Sequence, residues 1–167
     1  LYARLREGRE DFDPGSARVV AFGDPVYGAS SEADEDDASA VPIVALRDRG
    51  FDFEPLPGTG REIEVLESLF PASIEVYTGD EATEDRVKSL GSDVDILHFA
   101  CHAVADREIP SASTLVLSLP EDPGLASENG LLQAWEILEQ VRVDAQLVTL
   151  SACETAIGKQ LGPEGMA

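Results

Sequence analysis

The sequence has no hydrophobic run of about 18 residues, the length needed to cross a membrane. It also begins without an initiator methionine or the apolar core of a signal peptide, since residues 1–6 read LYARLR. We therefore expect no membrane partner, and we expect the chain to be an excised piece of a larger polypeptide. Its 167 residues suit one domain, and a hydrophobic content of 43% excludes wholesale disorder.

Basic residues are scarce. The chain has 12 of them against 33 acidic residues, which gives a net charge of −21, and only Lys88 and Lys159 are lysines. Such a surface repels phosphate backbones, so we expect no nucleic-acid partner. Two interpretations of the acidity stay open: it attracts basic partners, or it is a halophile-like adaptation in which carboxylates keep the surface hydrated at high salt.

Cysteine is also rare, because Cys101 and Cys153 are the only two in the chain. Two cysteines cannot build a disulfide framework, and nothing in the sequence suggests secretion. They would pair only if their strands were adjacent, and free thiols are the default in a reducing compartment. We therefore expect a cytoplasmic protein.

Short apolar runs alternate with amphipathic segments along most of the chain. Residues 1–16 are predicted to be a helix end followed by a turn-rich linker. The predicted strands are residues 17–23, 73–77, 94–100 and 145–150, with a side strand at 114–118, and the predicted helices begin near 59, near 83 and at 131. Strands that alternate with helices predict a three-layer α/β fold with a mostly parallel sheet and right-handed crossovers.

Details of the helices can also be predicted. Thr59 and Glu62 have the spacing of a capping box, and Thr83 is placed to cap a short helix. The helix expected over residues 131–140 carries Leu131 and Leu138, which with the tryptophan between them would form one apolar stripe.

Two of the predicted buried strands lead to reactive side chains. The strand at 94–100 is followed by His102, and the strand at 145–150 is followed by Cys153. If the strands are parallel neighbours, both residues lie at the carboxyl edge of the sheet, where sites form in α/β proteins. A histidine that accepts the thiol proton and returns it to a leaving amine is the minimum for a cysteine protease. The backbone N–H groups of Ala103 and Cys153 are the candidates for an oxyanion hole.

Other roles for these residues fit the sequence less well. A zinc site from His98, Cys101, His102 and Cys153 has unfavourable geometry, because adjacent side chains diverge in an extended chain and the usual ligand spacing is missing. Cys101 points away from its neighbour His102, which makes it a poor nucleophile. His98 is expected inside the sheet as a hydrogen-bonded structural residue. We therefore expect no metal and no cofactor.

These residues lie in segments that resemble the CHAT domain, a caspase-like peptidase module found beside tetratricopeptide repeats and similar to the separase protease domain. The matching segments are residues 55–62, 95–103 (DILHFACHA), 115–118, 130–132, 147–155 (LVTLSACET) and 162–165. The resemblance covers residues 17–167. It implies a caspase-type sheet of strand order 2-1-3-4, with His102 as general base and Cys153 as nucleophile.

The sequence departs from the family pattern in two places. Ala103 stands where the family usually has glycine, which excludes a backbone conformation with positive φ at the oxyanion hole. Family members also continue past the position of Ala167, through a helix and a strand that carry the acidic residue of the substrate pocket. We therefore expect a linker over residues 1–16 and, over 17–167, a peptidase domain that lacks its C-terminal part.

The resemblance implies a cysteine endopeptidase that cuts protein or peptide substrates and is regulated by tetratricopeptide repeats or other domains of a larger protein. The alternative is a catalytically silent CHAT module that acts in signalling or assembly. A third hypothesis is a metal or redox sensor that uses Cys101 and Cys153. Because His102 and Cys153 are both present, the enzyme is favoured.

Overall fold

A computed structural model describes residues 17–27, 53–118 and 129–151 of the chain. The predicted linker at 1–16 lies outside these ranges. In chain order the described elements are β1 (Val19–Pro25), α1 (Pro57–Leu69), β2 (Ile74–Gly79), α2 (Glu84–Lys88), β3 (Ile96–Ala100), β4 (His102–Val104), a 3₁₀ turn (Pro110–Ala112), β5 (Thr114–Val116), β6 (Leu131–Gln133), α3 (Ala134–Gln140) and β7 (Leu147–Leu150).

The main sheet has the strand order β2-β1-β3-β7, and each neighbouring pair is parallel. Phe22 of β1 lies in register with Tyr77 of β2 and Phe99 of β3. The three rings stack across the strands, with centroids 5.0 Å and 5.3 Å apart. The predicted parallel α/β fold is therefore confirmed, and so is the strand order 2-1-3-4, since β7 is the fourth strand of this sheet.

Helix α1 covers one face of the main sheet. At Gly23, near the end of β1, the helix comes so close that an added Cβ would lie 2.5 Å from Cγ1 of Ile63. Ile63 is itself buried, and Ala100 of β3 lies on the same side. Glycine at this position therefore lets α1 sit directly on the carboxyl end of the sheet.

The other face carries the smaller antiparallel sheet, of order β4-β5-β6, together with α2 and α3. Phe22 and Phe99 pack there with Leu115 and Leu132 of the small sheet in one buried cluster. Beside this cluster, an apolar groove of about 440 Å³ runs between the main sheet and α3, and Leu150 is among the residues that line it.

A group of buried charged side chains connects α2 to β6 and α3 through ion pairs and hydrogen bonds. The Lys88 side chain is only 11% exposed, and its ammonium group donates to Glu84 at 3.0 Å and to Glu136 at 2.7 Å. The other oxygen of Glu84 accepts from the backbone N–H groups of Asn129 and Leu131. The two carboxylates thus have hydrogen-bond partners that offset much of the cost of burying them.

The helix predicted over residues 131–140 is wrong in its first part. Leu131 is buried and pairs with β5, so the segment begins as strand β6. Helix α3 starts only after Gln133, where Gln133 and Glu136 form a capping box. Leu138 is 79% exposed, so the predicted apolar stripe does not exist either. Pairing with β5 overrides the helical spacing of these apolar residues.

The capping box predicted at Thr59 and Glu62 is also wrong. Helix α1 begins two residues earlier, with Pro57 at its first position, where the fixed φ of proline suits a helix start. The Thr59 hydroxyl instead donates to the carbonyl of Leu56 at 2.7 Å. The cap predicted at Thr83 is confirmed, since its side chain accepts from the N–H of Arg86.

The close approach of α1 predicts that Gly23→Ala destabilises the fold. The new methyl group would collide with Ile63, and overpacking of this kind costs about 1–3 kcal/mol. Urea unfolding gives the free energies. In an Ile63→Ala background the collision is gone, so the same substitution should cost much less there. Equal costs in both backgrounds would contradict the proposed contact.

The buried charges predict that Lys88→Met lowers the free energy of unfolding by about 3–5 kcal/mol, because Glu84 and Glu136 lose their shared cation. Arg61→Met, which removes an exposed cation from helix α1, is the control and should change little. Thermal and urea unfolding measure both variants. If the two variants are equally stable, the buried charges of Lys88, Glu84 and Glu136 contribute nothing to the free energy of unfolding.

Candidate active site

The carboxyl ends of the main-sheet strands meet at one edge of the sheet. His102 lies there, two residues after the end of β3, and Tyr27 lies two residues after the end of β1. Cys153, the predicted nucleophile, lies outside the described residues. The site is therefore built from the surroundings of His102 and from the strand that leads to Cys153.

The His102 imidazole is oriented by a backbone carbonyl. Its Nε2 lies 2.7 Å from the carbonyl oxygen of Glu54. Because a carbonyl can only accept a hydrogen bond, we assign the imidazole proton to Nε2, which makes Nδ1 the nitrogen with the lone pair. In this tautomer Nδ1 is the atom that can take a proton from a thiol.

Two aromatic rings enclose the same imidazole. The ring of Tyr27 lies 4.8 Å from that of His102 and the ring of Phe53 lies 5.6 Å away, centroid to centroid. The Tyr27 hydroxyl also accepts from the backbone N–H of His102 at 3.2 Å. Burial raises the pKa of Tyr27, so its hydroxyl stays neutral. His102 is only 3% exposed, and its ring is fixed by these contacts.

The register of the main sheet relates the two predicted catalytic positions. Ile96 of β3 is opposite Leu147 of β7, which is an offset of 51 residues (147 − 96). The offset between His102 and Cys153 is also 51 (153 − 102). The pairing of the strands extends past the end of β7, because the N–H of Ser151 donates to the carbonyl of Phe99 at 2.7 Å.

Cys101 has the surroundings of a core residue. It is fully buried in the cluster beneath the small sheet, and burial raises its pKa to about 12. A thiol that stays protonated at neutral pH is neither a good nucleophile nor a good metal ligand. Within the ranges that the structure describes, no group of three histidine, cysteine or acidic side chains could hold a metal ion.

Ala103 follows His102 in β4, opposite Leu115 of β5. Among the described residues other than glycine, only Asp24 has a positive φ. The backbone of Ala103 therefore has a conformation that any residue adopts, and its methyl group introduces no strain where the family usually has glycine.

His98 is buried inside the main sheet, as predicted. Its Nδ1 lies 2.6 Å from the hydroxyl of Thr149, the residue opposite it in β7. Its Nε2 lies 3.4 Å from a carboxylate oxygen of Glu62 on α1. Burial lowers the pKa of His98, while the nearby Glu62 carboxylate opposes this shift. His98 is thus a neutral, hydrogen-bonded residue that joins β3 to β7.

The partners of His102 were not predicted from the sequence. Tyr27 could have been found, because it follows a predicted strand and must lie at the same edge of the sheet. Phe53 and Glu54 precede a proline-rich segment and gave no comparable signal. The contact from Glu54 uses its carbonyl oxygen, which every residue type carries.

Comparison with known proteins supports the family resemblance. The family model for the CHAT domain matches residues 3–167. No curated protein and no solved structure matches the chain. In the part that the structure describes, no helix has the length and hydrophobicity to span a membrane.

The packing around His102 predicts that Tyr27→Phe lowers the free energy of unfolding by about 1–3 kcal/mol, because it removes the acceptor for a buried N–H while keeping the ring. Tyr77→Phe is the matched control, since the Tyr77 hydroxyl bonds to the partly exposed Glu75. Urea unfolding should show the smaller loss in the control. A loss in Tyr27→Phe no larger than in the control would contradict this role for the hydroxyl.

Proposed function

Because the chain belongs to the CHAT domain family, which is caspase-like, we propose that it is a cysteine endopeptidase in which Cys153 is the nucleophile and His102 the general base. The substrate is a protein or peptide, and the reaction needs no metal or cofactor. The proposal rests on this family membership together with the orientation of His102.

The observation that carries the proposal is the bond between Nε2 of His102 and the carbonyl of Glu54. It places the lone pair of the neutral imidazole on Nδ1, the atom that accepts the thiol proton in the proposed reaction. The equal offset of 51 residues supports the same pair, because neighbouring parallel strands lie about 4.8 Å apart and residues in register are side by side. His102 itself begins β4, so its distance from Cys153 also depends on the bend at Cys101.

The reaction would proceed in two stages. The Cys153 thiol gives its proton to Nδ1 of His102, and the sulfur forms a bond to the carbonyl carbon of the scissile peptide. The carbonyl oxygen becomes an oxyanion, for which the N–H groups of Ala103 and Cys153 are the proposed donors. When the C–N bond breaks, the imidazolium returns the proton to the leaving amine. Water, deprotonated by His102, then hydrolyses the thioester and restores the thiol.

The surroundings of His102 suit this proton transfer. During the reaction its imidazole becomes positively charged, and the Glu54 carbonyl remains bonded to Nε2–H. The Tyr27 and Phe53 rings lie against the imidazole in tilted and edge-type arrangements. These neutral groups hold the imidazole in place, and the Glu54 carbonyl stabilises its charge when it forms, a role that a carboxylate has in other proteases.

Membership of the same family also suggests how the proposed enzyme is regulated. CHAT domains are associated with proteins that contain tetratricopeptide repeats, and we propose that such repeats or another domain of a larger protein control the activity. We also propose a cytoplasmic location, in which the Cys153 thiol is kept reduced.

The dyad predicts that an electrophilic peptide probe ending in arginine labels Cys153, as located by mass spectrometry. His102→Ala should slow the labelling by about 100-fold or more, because the thiol loses its base. Cys153→Ala should abolish it, and Cys101→Ala is the control that should label normally. The experiment is done on this chain and on a longer protein that contains it.

The competing function has a clear signature in the same experiment. If Cys153 reacts no faster than free cysteine in either protein, and if His102→Ala changes nothing, the chain is a catalytically silent CHAT module. Reaction at Cys101 that responds to a chelator or to oxidation would instead support a metal or redox sensor.

A further inference from the structure

The end of β7 is poorly supported by packing. Strand β7 pairs with β3 on one side, and in the described residues no other strand pairs with it. Half or more of the surface of Leu147, Val148 and Leu150 is exposed. Apolar burial therefore contributes little to fixing the segment that precedes Cys153.

Polar contacts hold this segment instead. Thr149 and Ser151 are two residues apart, so their side chains lie on the same face of the extended chain, the face toward α1. The Thr149 hydroxyl lies 2.6 Å from Nδ1 of His98. The Ser151 hydroxyl donates to a carboxylate oxygen of Glu62 at 2.8 Å.

His98 and Glu62 also face each other, with 3.4 Å between Nε2 and the second carboxylate oxygen. We name the four side chains, His98, Glu62, Thr149 and Ser151, the β7 clamp. Helix α1 supplies Glu62, β3 supplies His98, and the two hydroxyls belong to alternate residues of one strand segment.

The proton positions in the β7 clamp follow from the chemistry of its members. A carboxylate only accepts, so the proton of neutral His98 belongs on Nε2, directed at Glu62. Nδ1 is then an acceptor, and the Thr149 hydroxyl donates to it. In the opposite tautomer the buried Nε2 would carry a lone pair that faces the Glu62 carboxylate. No described residue donates a hydrogen bond to Nε2, so this lone pair would be unsatisfied.

We propose that His98 and Glu62 are positioning residues that fix the carboxyl end of β7 and, through it, the nucleophile Cys153 two residues beyond Ser151. The role of Cys153 rests on the proposed function, whereas the contacts of the β7 clamp do not. His98 and Glu62 do not take part in proton transfer to the substrate; they set where the nucleophile lies relative to His102. A shift of about 1 Å in such a group can cost a hundredfold in rate.

The variant Glu62→Ala tests the proposal, because it removes both contacts of the carboxylate from a helix in which alanine is well tolerated. Glu62→Gln restores them, since an amide can accept from His98 and also contact Ser151. Glu64→Ala is the matched control, with the same charge change at an exposed position of the same helix.

Two readouts are compared across these variants. Hydrogen–deuterium exchange of the Ser151 amide, which donates to the carbonyl of Phe99, reports the order of the strand end without any need for activity. We expect exchange about tenfold faster in Glu62→Ala than in Glu64→Ala, with Glu62→Gln close to the unmodified chain. Peptide hydrolysis should show a kcat reduced about tenfold in Glu62→Ala, with KM changed less than twofold, because only the nucleophile is displaced.

The outcomes separate this inference from the proposed function. Equal exchange in Glu62→Ala and Glu64→Ala overturns the β7 clamp, whether or not the chain is a peptidase. Faster exchange with unchanged kcat in an active enzyme overturns the positioning role. If the unmodified chain is inactive both alone and within a longer protein that contains it, the proposed function fails. Faster exchange in Glu62→Ala would then still support the contacts of the β7 clamp.

Discussion

The parallel pairing of β3 with β7 is the constraint on which the site depends. These strands are far apart in the sequence, and their register decides which residues face each other at the carboxyl edge of the sheet. A slip by one residue would move Thr149 to the opposite face of β7 and separate it from His98. The same slip would take Ser151 away from Glu62. Fold and site are therefore specified by one set of backbone hydrogen bonds.

The main sheet could be predicted from the sequence because its strands are short apolar runs bounded by turn residues. Residues 94–100 and 145–150 were predicted as buried strands, and β3 and β7 lie within them as a parallel pair. The burial predicted for the second strand is wrong, since the apolar side chains of β7 are half or more exposed. The small sheet was predicted less well. Its strands have three residues each. Residues Leu131–Gln133 form a strand and not a helix because they pair with β5, and no local sequence pattern reveals that pairing.

The site was predictable only where side chains carry its chemistry. His102 stood out because a histidine follows a buried strand, and His98 was correctly expected inside the sheet. The role of Glu62 was missed, because its spacing to Thr59 suggested a helix cap, while its partner Ser151 is 89 residues away. Long-range polar contacts of this kind depend on the packing of α1 against the sheet at Gly23, which the sequence pattern does not encode.

The carbonyl of Glu54 that orients His102 has a consequence for how such sites can change over time. Since the contact belongs to the main chain, the identity of residue 54 is free to vary while the imidazole keeps its orientation. Scanning mutagenesis of side chains would leave the contact in place, and sequence comparison would show no invariant residue there. The path of the backbone through Phe53 and Glu54 must be kept for the contact to form. Selection therefore acts on the conformation of this segment and not on the side chain of residue 54.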